Sequence, residues 1–136
     1  MVNINPLEIL AGKQKVGREE ANKIALPVLI SLDAAKRGQA TARLANNLTE
    51  HLIIAITVFS KAGNRPLYDC AAKAWLALCK ACARPTDLLD LTTGEYAAIR
   101  VAIAYYLRAL PNLEMCVFSY AVAHTISKLN EPGVVT

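Results

Sequence analysis

Residues 92–110, TTGEYAAIRVAIAYYLRAL, and residues 113–129, LEMCVFSYAVAHTISKL, decide the fold class. Thr92 and Glu95 stand three apart, the spacing of a capping box, in which each residue satisfies the other's free backbone donor at a helix start. Behind that start, Tyr96, Ile99, Ile103, Tyr106, Leu107 and Leu110 recur every three or four residues, the spacing of one face of an α-helix. Met115, Phe118, Val122, Thr125, Ile126 and Leu129 repeat the pattern. Only Pro111 and Asn112 separate the two segments, so the second helix is expected to run back antiparallel to the first. Alternating strand patterns are absent, and alanine and leucine dominate.

The remainder reads the same way. Asn5-Pro6 is a cap and first-turn proline for a short helix ending near Gly12. Glu19 and Glu20 place negative charge at the start of the next helix, and Lys36 and Arg37 close it before Gly38. Pro27, inside that helix, is expected to kink or split it. A helix over 39–62 stops at Gly63, with Leu44, Leu48, Leu52, Ala55 and Phe59 on one face and Arg43, Asn47, Glu50, Thr57 and Lys61 on another. Asn64 and Pro66 open the next. Its buried stripe is Leu67, Ala71, Ala74, Trp75, Leu78 and Cys82, with Asp69 and Lys73 as a surface pair. Arg84-Pro85 ends it, and Leu88, Leu89 and Leu91 pin the loop that follows. The expected fold is all-α: a single-domain bundle of five or six helices with short connections over 1–136, less ordered at 1–15 and 130–136.

Composition sets limits on function. Of 136 residues, 54% are hydrophobic and 19% charged, which excludes intrinsic disorder. Mean hydropathy is +0.30, yet no apolar run reaches the roughly 18 residues of a membrane span. Net charge is +4, an ordinary solubility charge that can also attract nucleic acid or an acidic protein. The first residues, MVNINPLEILAGKQK, lack the pattern of a signal peptide. Four cysteines without an export signal read as reduced thiols, and the expected location is cytoplasmic.

Cys79-Lys80-Ala81-Cys82 has the spacing of a redox or zinc half-site. It falls at the end of a helical pattern, where the dipole raises a thiol's pKa. Cys70 sits roughly 13 Å away along the helix, and Cys116 and His124 are roughly 12 Å from each other. The cysteines are therefore expected to be small core residues, with no metal and no cofactor. Asp87 and Asp90 read as turn residues, and His51 and His124 as structural mid-helix histidines. No nucleophile-elbow, phosphate-loop, dinucleotide or zinc-protease motif occurs. No catalytic residue is expected, and the chain reads as non-enzymatic.

Two features remain. Lys36, Arg37 and Arg43 straddle a helix break, where backbone amides can join cations in holding a phosphate, and Asn46 and Asn47 lie one turn on. The last two helices carry apolar residues beyond their inward stripes: Ala98, Val101, Ala102, Tyr105 and Ala109 on one, Cys116, Tyr120 and Ala123 on the other. A helix apolar on most sides is central or covered by another chain. The expectation is a protein-interaction module, an adaptor, inhibitor or accessory regulator (of a mobile element, for instance). It is expected to be homodimeric through Ala98, Val101, Ala102, Tyr105, Ala109 and Tyr120. A nucleic-acid regulator using Lys36, Arg37 and Arg43 is the alternative.

Overall fold

The computed structural model describes residues 13–129, so the expected helix over 5–12 and the tail over 130–136 lie outside the described residues. It is an all-α bundle of five helices: α1 (Gly17–Lys36), α2 (Ala42–Lys61), α3 (Arg65–Cys82), α4 (Thr93–Ala109) and α5 (Met115–Leu129), with a 3-10 turn at Leu110–Asn112. No described helix is long and apolar enough to cross a membrane.

The helix boundaries follow local chemistry. Gly38 and Gly63 take φ of +68°, a left-handed conformation that glycine adopts without a Cβ penalty. At the first, Gly38 N–H donates to the Ala35 carbonyl (3.2 Å) and Gln39 N–H to the Ala34 carbonyl (2.8 Å), satisfying groups the helix end would leave free. Asn64 Oδ1 accepts from Leu67 N–H at 3.2 Å, the expected cap of α3. Pro27 neither splits α1 nor ends it. It is exposed, so water can serve the carbonyl that loses its donor.

The capping box at Thr92 forms as expected: Thr92 Oγ1 accepts from Glu95 N–H (3.1 Å), and Thr92 N–H donates to Glu95 Oε1 (2.9 Å). A partner from the end of α3 completes it. Both Arg84 Nη atoms donate to the Glu95 carboxylate (2.8 and 2.6 Å), and Nη1 also reaches the Asp90 carbonyl (2.6 Å). The Arg84 hydrogen bonds, chiefly, hold the Glu95 carboxyl down to about 2. The 86–91 loop is thus tied by charge as well as by leucine. Leu89 is buried and Leu91 half-buried, while Leu88 is exposed, so two of the three leucines pin it.

Helix α2 is the hub, packing against α1, α3, α4 and α5. Val28, Leu32, Leu48, Leu52, Leu78, Ile99 and Ile103 form one end of the core. Ile54, Val58, Phe59, Tyr106, Leu110 and Ala121 form the other. Helix α5 departs from expectation. It lies on α2 and not alongside α4. After the 3-10 turn, Leu113 is extended, and the chain pairs with the segment before α1: Val16 N–H donates to the Leu113 carbonyl (2.8 Å), and Met115 N–H to the Gln14 carbonyl (2.7 Å). These bonds draw the start of α5 away from α4.

Three smaller expectations are corrected. Asp69 pairs with Arg65 (3.1 Å), one turn before it, rather than with Lys73. Cys82 is exposed because α3 ends there, beyond the core. Ile126 is 55% exposed, since α5 fully buries only Ala121 and Thr125.

Glu95→Ala removes half of the capping box and both Arg84 contacts. It should lower stability by about 2 kcal/mol, read from denaturant midpoints. Because the Glu95 carboxyl is held low in the folded state, its contribution is present above the free value of 4.5 and lost as pH falls toward about 2. The loss on acidification should therefore be smaller in this variant.

Candidate interaction site

The residues expected to form one apolar face do not come together. Ala102 is 1% exposed and packs in the core, because α3 covers that flank of α4 and an alanine there permits close approach. Ala98 and Ala109 are half-buried, and Val101 and Tyr105 are exposed on α4. Tyr120 stands on α5, which does not adjoin α4. Its ring is already engaged, with Lys61 Nζ 4.0 Å from the ring centroid and the His124 ring stacked at 6.0 Å.

The placement of α5 opens a different surface. Helices α3 and α5 both lie on α2 without packing on each other. Between them runs a groove of about 480 Å³, with Ile53, Ile56 and Thr57 from α2, Tyr68, Ala72, Trp75 and Leu76 from α3, and His124, Lys128 and Leu129 from α5. Leu76 is 61% exposed at its edge. No lining residue is acidic. Trp75 Nε1 is buried and finds no hydrogen-bond partner among the described residues. Sequence reading missed this groove, although Leu76 lies off the buried stripe of its helix and was a signal of it.

The basic corner is solvent-exposed, as expected of charged side chains: Lys36, Arg37 and Arg43 all reach water. Arg37 Nη2 is held by Asp33 Oδ2 at 2.8 Å. Asn47 Oδ1 accepts from Ser31 Oγ at 3.1 Å, tying α2 to α1 and occupying a group that could otherwise read a base. Asn46 is exposed.

Three of the four cysteines are not core residues, while Cys70 packs against the core. Cys79, Cys82 and Cys116 are exposed, and Cys70 is intermediate. Cys79 is one residue past the buried Leu78, hence about 100° off the inward stripe. Desolvation raises both the Cys79 and Cys82 thiols, and the neighbouring Cys82 raises Cys79 further. Among the described residues, no group of three or more histidine, cysteine or acidic side chains could hold a metal ion.

His51 has a structural partner. Its Nδ1 is 3.0 Å from the hydroxyl of Tyr106, which is fully buried. This one hydrogen bond joins α2 to α4. Burial lowers the His51 pKa from 6.5 to about 4 and raises that of Tyr106.

Unfolding frees His51 to take up a proton that the folded interior refuses. Stability should therefore be complete above pH 6.5 and decline as pH falls from there to about 4, by on the order of 3 kcal/mol. Unfolding midpoints across pH 4–7 check this, and His51→Gln should flatten the slope. The chain matches no family model, and neither a curated protein nor a solved structure matches it.

Proposed function

We propose that this protein is a non-enzymatic interaction module that binds another protein through the groove between α3 and α5. The observation that carries the reading is the groove itself: an apolar floor of Ile53 and Ile56, apolar walls, and a large leucine at the rim. Exposed apolar surface of this kind, edged by polar groups, marks an interaction site. A groove between two helices suits an amphipathic helix presenting apolar anchors at i, i+3 or i+4. Lys128, with no acidic residue in the lining, favours a partner with acidic residues at that edge.

An adaptor, inhibitor or accessory regulator fits this chemistry. Free thiols suit a reducing compartment such as the cytoplasm. Nucleic-acid binding has less support, because Asn47 is occupied by Ser31 and a net charge of +4 is an ordinary solubility charge.

A photo-crosslinking amino acid placed at position 76 in cells should give a discrete protein adduct, one that persists after nuclease treatment and at high salt. The same probe at Leu88, an exposed leucine away from the groove, should give none. Equal adducts at both positions, or loss on nuclease treatment, would count against the reading. Phosphate-driven association weakens steeply with salt, whereas apolar docking does not.

A further inference from the structure

The outer face of α1 carries the densest group of exposed aliphatic side chains among the described residues. Leu26 is 61% exposed, Leu29 48% and Ile30 53%, within little more than one helical turn. No described element covers them. The charges on either side of this stripe are ordered. Glu19 and Lys23 stand before it, joined at 4.0 Å, and Asp33 and Arg37 stand after it, joined at 2.8 Å. All four reach water.

We propose that this face pairs with the same face of a second copy of the chain, with the two α1 helices antiparallel about a two-fold axis level with Val28. Residues equidistant from Val28 then meet at the same level. Leu26 faces the partner's Ile30, Lys23 the partner's Asp33, and Glu19 the partner's Arg37. Both of these charged levels join opposite signs, and symmetry supplies each pair twice. A parallel arrangement would place Glu19 on Glu19 and Arg37 on Arg37. Antiparallel helix dipoles also oppose favourably. The axis passes between the two helices at the level of Val28, whose side chain is fully buried in the core and takes no part in the pairing.

Two facing helices of this length fall at or below the roughly 1,200 Å² of a standard stable interface, the size class of weak and transient associations. The pairing uses Lys36's neighbour Arg37 as an interface cation and so gives the basic corner a role other than phosphate binding. It is independent of the groove, which is lined by α2, α3 and α5.

Sedimentation of the full chain from about 1 to 100 µM should show a reversible monomer–dimer equilibrium. Leu26→Glu should abolish the dimer while circular dichroism stays helical. Glu19→Arg or Arg37→Glu alone should weaken it about tenfold, since each replaces two attractions with two repulsions. Glu19→Arg with Arg37→Glu in one chain should restore it. A wild-type monomer throughout that range, or a dimer indifferent to Leu26→Glu, would overturn the pairing. Single reversals without effect, beside a disruptive Leu26→Glu, would overturn the antiparallel register. Leu76→Glu, which alters only the groove, should leave the dimer intact.

Discussion

The structure depends on the packing demands placed on α2. One twenty-residue helix contacts all four others, and each contact must be met by a different side of it. Leu48, Leu52, Ala55 and Phe59, fully buried or nearly so, supply the main side. Ile54 and Val58 supply another, in the cluster that holds Ala121 of α5. With α3 and α5 seated on different flanks, the strip bearing Ile53, Ile56 and Thr57 is left uncovered by any of the described helices. The apolar groove is the direct consequence of a hub with more apolar sides than neighbours.

Buried polar contacts fix how the helices meet. Tyr106 pins α4 to α2 through His51, and Ser31 pins α1 to α2 through Asn47. Apolar stripes tolerate sliding by a turn, because one aliphatic residue replaces another at small cost. A buried hydroxyl does not, because a slip leaves it without a partner at a cost of about 1–3 kcal/mol. The same burial holds the His51 imidazole in its neutral form, with its pKa lowered to about 4.

Local chemistry made much of the fold legible from the residues alone. Thr92 and Glu95, Asn64, Gly38 and Gly63 mark helix ends through interactions spanning a few residues, and the structure places the ends where they indicate. The inward stripe of α4 is likewise as read, from Ile99 to Leu110. Long-range choices were not legible. Nothing near Pro111 announces that Leu113 and Glu114 will pair with Gln14 to Val16 and carry α5 to α2. That choice moved the candidate site. Ala102 and Tyr120, apolar and off-stripe, read as free surface, yet the first packs in the core beside α3 and the second lies beneath Lys61. Leu26, Leu29 and Ile30 were hidden differently, since Val28 and Leu32 beside them are core residues and an aliphatic run does not say which side faces water.

Partner docking needs an open apolar groove between α3 and α5, and Trp75, the single tryptophan of the chain, reports on it from within the lining. The most direct measurement is the emission of Trp75 during titration with an apolar fluorophore that accepts its energy, for the wild type and for Leu76→Glu. The account predicts saturable quenching of Trp75 in the wild type, at roughly one probe per chain, and its loss in Leu76→Glu with the helical content unchanged. Quenching that is absent in the wild type, or unaffected by the charge at position 76, would contradict it.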